Sequence, residues 1–212
     1  MSKFVSDWRD AFQQAWDWFN QVAKTEKRRW TTSDWKRLVD LHRLAEISDA
    51  TEFDRLSLIV QSEKCVPDKD TLRSIGKWKS YERTSHLLKK NSNEKVRSTT
   101  AEAFRMIRGR DLIHESEDAM KHLRHLQGVG IATASALLAM YDPKNFAVID
   151  RLAYGELFPN RTDEITSYAQ WKEYLDQVMR LAHAHNLDCR DIDTALWFVG
   201  SFRASEKRRS LA

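Results

Sequence analysis

The chain is poor in the residues that mark turns and in those that build metal clusters. Only 6 Gly and 3 Pro occur among its 212 residues, whereas sandwiches and barrels need turn residues at short and regular intervals. This scarcity argues against an all-β fold. The two cysteines, Cys65 and Cys189, are too few for a four-thiolate iron–sulfur or zinc site. We therefore expect both thiols to be reduced and no metal to be bound.

Long apolar stretches are absent as well. The sequence contains no run of about 18 apolar residues, the length that a membrane-spanning helix requires. The opening sequence, MSKFVSDWRD, lacks the apolar core and the small-residue cleavage site of a secretory signal. We therefore expect a soluble protein without a membrane partner, located in the cytoplasm and associated with the nucleoid if its source is bacterial.

The net charge is small, but basic residues are concentrated in one segment. The chain has 35 Lys and Arg against 31 Asp and Glu, a formal charge of +4. Within residues 73–97, Glu82 and Glu94 stand against eight basic residues: Arg73, Lys77, Lys79, Arg83, Lys89, Lys90, Lys95 and Arg97. Such a segment forms either a solvated helix face or a surface that follows nucleic-acid phosphates. On the second interpretation, Lys89 and Lys90 are candidate phosphate contacts.

Apolar residues recur at steps of three and four, which predicts an all-α fold. An aromatic stripe predicts a first helix that runs to about residue 24: Phe4, Trp8, Phe12, Trp16, Phe19 and Val22. Further helices are predicted from a cap at Thr32 or Ser33, from the 48–51 cluster, at about 69–90, 93–107 and 116–126, and twice after residue 160. Aromatic side chains at helical spacing are usually buried. We therefore expect four tryptophans in the core: Trp8, Trp16, Trp35 and Trp171.

The most informative stretch is Leu126-Gln-Gly-Val-Gly-Ile-Ala-Thr-Ala134. Its two glycines, Gly128 and Gly130, allow a tight turn between two helices, which predicts a helix-hairpin-helix at about 116–141. The backbone N–H groups and the dipole at the start of the second helix can bind a phosphate without any charged side chain. A turn of this kind would hold the DNA backbone irrespective of base sequence, although the same glycine spacing also occurs in plain interhelical turns.

The sequence after the turn makes the pattern specific. An Asp142-Pro143 turn follows, then the apolar run Phe146-Ala-Val-Ile149, and then Asp150. In this order and spacing the chain resembles the helix-hairpin-helix DNA glycosylases. The endonuclease III and 8-oxoguanine glycosylase members of that family carry Leu-Pro-Gly-Val-Gly at the turn and an invariant aspartate after the apolar run. The resemblance is strong over residues 116–158 and architectural elsewhere.

The resemblance implies a two-lobed, all-helical glycosylase fold with a cleft between the lobes. Residues 49–150 would form the lobe that contains the hairpin, and residues 1–48 together with 151–212 would form the other. The expected partner is double-stranded DNA, and we expect a monomer. No cofactor is implied beyond a monovalent cation that the hairpin carbonyl oxygens can hold in this family.

The resemblance also implies site residues. Asp150 would be the catalytic carboxylate, and Trp197 on the last helix is a candidate for the base pocket, although a core position is its default interpretation. The DNA backbone would be bound at the turn by five residues: Gly128, Val129, Gly130, Ala132 and Thr133.

Departures from the family pattern refine the expected activity. Gln127 replaces the usual Pro, and Arg151-Leu-Ala-Tyr154 differs from the His-containing sequence that often follows the aspartate. Ala132 occupies the position of the lysine that forms a Schiff base in bifunctional members, eighteen residues before Asp150. Lys144, in the polar Asp-Pro-Lys-Asn turn, is expected to be solvated. We therefore expect a monofunctional DNA N-glycosylase without lyase activity.

A single carboxylate suits this chemistry. Breaking a base–sugar bond builds positive charge on the deoxyribose ring, which a fixed aspartate beside C1′ can stabilise while it orients or deprotonates a water. The target nucleotide must first be flipped out of the duplex. Asp150 is also a typical N-cap for a helix that begins at residue 151, and the two roles are compatible because a cap fixes the carboxylate.

The target base stays open at this point. Oxidised purines, alkylated purines, mismatched pyrimidines and the modified cytosines of phage genomes are all compatible with the sequence. A DNA-repair role follows from the first three, whereas glucosylated hydroxymethylcytosine would indicate antiviral defence. The alternative from another class is a non-catalytic hairpin module that recognises DNA structure and tolerates neutralisation of Asp150.

Overall fold

The computed structural model describes residues 13–14, 17–18, 30–80, 84–161 and 164–209, without the side chains of residues 206, 208 and 209. The aromatic stripe from Phe4 to Val22, with Trp8 and Trp16, lies outside these residues. Every regular element in the described part is a helix and no strand occurs there, so the prediction of an all-α protein is confirmed.

Ten helices of the described residues are named in chain order. They are α1 Thr32–Ala45, α2 Ile47–Glu63, α3 Lys69–Ser80, α4 Ser85–Leu88, α5 Asn93–Met106, α6 Leu112–Leu123, α7 Ile131–Tyr141, α8 Arg151–Leu157, α9 Tyr168–His185 and α10 Cys189–Arg209. None of the described helices is both long enough and apolar enough to cross a membrane.

Several predicted helix boundaries are wrong because local caps decide them. Helix α1 is capped by Thr31 instead of Thr32 or Ser33, since Asp34 closes a reciprocal capping box with it. Helix α6 begins at Leu112 because the Asp111 carboxylate accepts the His114 N–H at 3.2 Å. The single helix predicted over 69–90 is two helices, of which the first ends at Ser80 and the second begins at Ser85.

The helices pack in two groups that share one continuous apolar core. In the first group, α2 and α3 pack against α7, α3 also contacts α4 and α5, and α6 joins α5 and α7. In the second group, α10 packs against α1, α8 and α9. The groups meet where α9 contacts α6 and where α1 turns into α2.

Helix α7 lies at the centre of the first group. All residues from Ile131 to Met140 are buried except the half-buried Ala132, which is typical of a helix that is apolar on every side. Trp171 and Trp35 are buried in the same core, as the sequence predicts for them. Cys65 and Cys189 are also buried, and they are not joined in a disulfide.

A close contact between α10 and the first turn of α8 depends on a glycine. A Cβ atom at Gly200 would lie 2.8 Å from the carbonyl oxygen of Leu152 and 2.9 Å from its carbonyl carbon. Real side chains do not approach a backbone this closely, so only glycine allows the two helices to touch here. Leu152 is the second residue of α8. Its position depends on the space that Gly200 leaves for its backbone.

Gly200→Ala should lower the free energy of unfolding by roughly 1–3 kcal/mol, because the added methyl group pushes α8 away from α10. Gly155→Ala is the matched control in α8, where an added Cβ meets nothing within 4 Å. This second change should raise the stability by about 0.5–1 kcal/mol through its better helix propensity. Urea unfolding of both variants provides the test, and equal effects of the same sign would contradict the proposed contact.

Candidate nucleic-acid interface and carboxylate site

The turn between α6 and α7 has the geometry of a compact hairpin. The Leu126 N–H donates to the Leu123 carbonyl at 3.1 Å, and the Val129 N–H donates to the Leu126 carbonyl at 3.2 Å. Gly128 adopts a positive φ of 83°, and a Cβ there would lie 2.8 Å from that of Leu87. Both facts require glycine at this position.

Gly130 has a different environment. It is the N-cap of α7, with φ −94° and ψ −177°, and no side chain caps the helix. A Cβ atom at Gly130 would meet nothing within 4 Å, so the space in front of the helix N-terminus is open. The predicted contacts Val129 and Thr133 have buried side chains. Any contact that these two make with DNA must therefore come from their backbone.

A buried asparagine fixes the hairpin to the preceding helices. Asn91 donates from Nδ2 to the Gln127 carbonyl at 3.0 Å and accepts the Gln127 N–H on Oδ1 at 2.9 Å. This reciprocal pair places the exposed Lys89 and Lys90 beside the turn. Asn91 could not be identified from the sequence, because nothing local to residue 91 indicates its distant partner.

Two carbonyl oxygens of the hairpin accept hydrogen bonds within the chain, that of Leu126 from the Val129 N–H and that of Gln127 from Asn91. The monovalent cation that the family resemblance implies for the hairpin carbonyls stays a prediction. Elsewhere in the described part, no group of three or more His, Cys, Asp or Glu side chains is arranged to hold a metal ion.

Asp150 ends an extended segment that is anchored to the core. The Ile149 N–H donates to Ser135 Oγ at 3.1 Å, within the second turn of α7, and the Val148 N–H donates to Asp193 Oδ2 at 3.2 Å. The predicted N-cap is confirmed, since Asp150 Oδ1 accepts the Leu152 N–H at 2.8 Å. The carboxylate is thereby held at a fixed place near the N-terminal half of α7, and its side chain is 28% exposed.

Lys79, one of the eight basic residues within residues 73–97, contacts this carboxylate. Lys79 Nζ lies 2.9 Å from Asp150 Oδ2, and its side chain is only 9% exposed. Lysine is rarely buried to this extent unless it is paired. Helical spacing could have indicated its position, because Lys79 follows the buried Leu72, Ile75 and Gly76 on the same face of α3.

Asp49, near the start of α2, also contacts the end of α3. The indole Nε1 of Trp78, the neighbour of Lys79, donates to the Asp49 carbonyl at 3.3 Å. Burial raises the pKa of the Asp49 carboxyl, although Arg190, the Trp78 indole N–H and Lys79 act in the opposite direction. Burial therefore favours the neutral form of this carboxyl.

A histidine connects Asp49 with the candidate pocket residue on α10. His42 Nε2 lies 3.7 Å from Asp49 Oδ2, and the imidazole meets the ring of Trp197 edge to face, with ring centroids 5.6 Å apart. Burial, with smaller contributions from Arg190 and Arg43, lowers the pKa of His42 to about 4. The imidazole is consequently neutral at pH 7. Trp197 itself is half-buried.

A buried polar network of side chains from α9 and α10 anchors the extended segment that ends at Asp150. Asp193, 1% exposed, accepts the Tyr174 hydroxyl at 2.6 Å and forms an ion pair with Arg190. The guanidinium of Arg190 also lies over the ring of Phe53, 4.5 Å from its centroid. Because Asp193 also accepts the Val148 N–H, this network fixes the segment that ends at Asp150.

Two cavities open on the surface of the described residues, and the smaller one is lined in part by His42 and Arg190. One of about 680 Å³ lies along α6 and the loop before it, and one of about 310 Å³ lies between α1, α2 and the start of α10. Neither of these two is lined by Asp150 or Trp197. A pocket for a flipped base at the carboxylate stays a prediction.

Comparison with protein-family models, with curated proteins and with solved structures finds no match for this chain. Function is therefore inferred from the hairpin, the carboxylate and the chemistry of the side chains around them.

Proposed function

We propose that this protein is a monofunctional DNA glycosylase that hydrolyses the N-glycosidic bond of a damaged or modified base and leaves an abasic site. The observation that carries the proposal is the Asp150 carboxylate. It is partly exposed, capped onto the Leu152 N–H, and anchored through Ile149 to α7, the helix that the hairpin begins. A carboxylate held in this way is suited to stabilise a cationic sugar.

The hairpin supports double-stranded DNA as the partner. The open space in front of Gly130 allows a phosphate to approach the uncapped N–H groups at the start of α7. Lys89 and Lys90 are exposed and directly precede Asn91, which binds the turn, and their charges would add attraction that does not depend on base sequence. The two groups of helices are the candidate lobes of a glycosylase fold, with Asp150 at their junction before α8.

In the proposed reaction, the nucleotide is flipped out of the duplex and its sugar C1′ lies beside Asp150. The carboxylate stabilises the positive charge that develops as the base departs, and it orients a water for attack on C1′. Unstacking costs a few kcal/mol, which stacking of the base on an aromatic side chain such as Trp197 partly offsets.

Gly130→Val should weaken binding to duplex DNA while leaving the fold intact, because its side chain enters space that no protein atom occupies. Loss of one charge-assisted phosphate contact corresponds to about 10- to 100-fold in Kd. Gly155→Val is the control with the same side chain away from the hairpin. Titration of a fluorescent duplex measures the effect, and wild-type affinity of folded Gly130→Val would remove the hairpin as a DNA anchor.

Asp150→Asn should retain DNA binding but reduce base release by about a hundredfold or more, because it keeps the cap and loses the negative charge. The substrates are duplexes that contain an oxidised purine, an alkylated purine, a mismatched pyrimidine or glucosylated hydroxymethylcytosine, with released bases identified by mass spectrometry. Asp40→Asn, an exposed carboxylate on α1, is the control.

The results separate the two classes of function. Wild-type excision by Asp150→Asn would place catalysis elsewhere. DNA binding by the wild type without release of any base would support the non-catalytic hairpin module instead.

The contact between Lys79 and Asp150 favours a second candidate activity, strand cleavage after base release. An amine near C1′ can form an imine with the sugar aldehyde of an abasic site. Ala132 has no amine, whereas Lys79 places one beside the Asp150 carboxylate. We propose hydrolysis as the main reaction because Lys79 Nζ is held in an ion pair with the Asp150 carboxylate, 2.9 Å away.

Incubation of wild-type enzyme and a cleavable duplex with borohydride should therefore yield no covalent complex, and strand breaks should appear only after hot alkali. Lys79→Met and Lys144→Met are compared in the same experiment. A trapped complex that is lost in Lys79→Met alone would establish Lys79 as the amine of a lyase, whereas loss in Lys144→Met alone would implicate the exposed turn.

A further inference from the structure

The proposed glycosylase reaction needs a proton as well as a negative charge. A base that leaves as an anion is a poor leaving group, so its nitrogen or carbonyl oxygen gains a proton as the bond to C1′ breaks. One carboxyl group cannot be both the ionised stabiliser and the acid at the same moment. Enzymes that cleave glycosidic bonds solve this with two carboxyl groups whose environments favour opposite protonation states.

We propose that Asp49 is the proton donor to the leaving base, the acid partner of the Asp150 carboxylate. This assignment rests on the proposed glycosylase function and adds a residue from α2 to its site. Asp49 and Asp150 are 101 positions apart in the sequence, and each of them contacts the end of α3.

Two consecutive residues at the end of α3 contact the two aspartates. Lys79 Nζ lies 2.9 Å from the Asp150 carboxylate, and Trp78 Nε1 donates to the backbone carbonyl of Asp49 at 3.3 Å. Lys79 is also one of the cations that act on the Asp49 carboxyl, so both aspartates are neighbours of the end of α3. The side chain of Asp49 is 34% exposed, which leaves it accessible to a bound nucleotide.

Asp49 is also close to the aromatic ring proposed for base stacking. His42 lies between them, 3.7 Å from the Asp49 carboxylate and edge to face with Trp197. A base stacked at Trp197, with its sugar at Asp150, would extend across the end of α3 toward Asp49. In this arrangement Asp49 would face the base and Asp150 would face the sugar.

The groups that face Asp49 are His42 from α1, Glu46 beside it, Trp78 and Lys79 from α3, and Arg190 from α10. Burial raises the pKa of Asp49 despite the opposing cations. Neutral His42 adds no positive charge that would hold the carboxyl ionised.

Asp150 has other partners. Its two oxygens accept hydrogen bonds from the Leu152 N–H and from the Lys79 ammonium. We assign the acid role to Asp49 and the role of the stabilising carboxylate to Asp150.

The step balances without a further reactant. The Asp49 carboxyl transfers its proton to the base while the electron pair of the C1′–N bond moves to the base nitrogen. A water then adds to C1′ and gives up a proton to the Asp150 carboxylate. Exchange with solvent returns a proton to Asp49 and removes one from Asp150, so the net change is hydrolysis of the C1′–N bond.

The test is single-turnover base release as a function of pH, with whichever duplex of the panel the wild type cleaves. The acid form of Asp49 is the active one, so the wild-type rate constant should fall as the pH rises above the raised pKa. Asp49→Asn should lose about 10²- to 10⁴-fold in rate and should no longer show this alkaline limb. Its DNA affinity should stay within about threefold of wild type, a change of under 1 kcal/mol.

Two further variants exclude a merely structural role. Asp49→Glu should recover part of the rate and the alkaline limb, because it restores a carboxyl group. Asp54→Asn, an exposed carboxylate on the same helix, should behave as wild type.

An unchanged pH profile in Asp49→Asn overturns the assignment, as does a loss of activity that follows a loss of folding or DNA affinity. Absence of any base release by the wild type would instead refute the glycosylase function, and the acid role with it.

Discussion

The burial of helix α7 is the constraint on which the rest of the structure depends. A helix that is apolar on nearly every side must be surrounded, and α2, α3 and α6 provide that cover. The chain can enter such a helix only through a turn that reaches the surface. It leaves through a segment that returns along the helix, where Ser135 binds the Ile149 N–H. The packing of α7 therefore places the hairpin at the entry to this helix and Asp150 at the end of the segment that follows it.

Electrostatics at the end of α3 add a second constraint. Removing Lys79 from water is costly, and the contact with Asp150 offsets much of that cost. The carboxylate in turn takes the Leu152 N–H, whose position depends on the close approach of α10 at Gly200. The packing of α10 against α8 therefore determines where the Asp150 carboxylate lies.

Much of the local structure could be predicted from the sequence. The spacing of apolar residues is sufficient for the helical class, for the core positions of Trp35 and Trp171, and for the interhelical turn at Gly128. The N-cap role of Asp150 follows from its place before a helical segment. Errors occurred at helix ends, where Thr31 and Asp111 cap their helices instead of residues nearer the apolar pattern. A cap depends on one hydrogen bond, which periodicity does not report.

The sequence by itself determined what depends on neighbours within a few residues: helices, caps, the glycine turn and the apolar faces. Only the tertiary structure decided that Lys79 contacts Asp150, that Asn91 binds Gln127, and that Trp78 binds the Asp49 carbonyl. These contacts join residues that are 29 to 71 positions apart, and no local pattern selects one partner among many. Their physical origin is the packing of helices around α7, which brings distant polar groups together where each needs a partner.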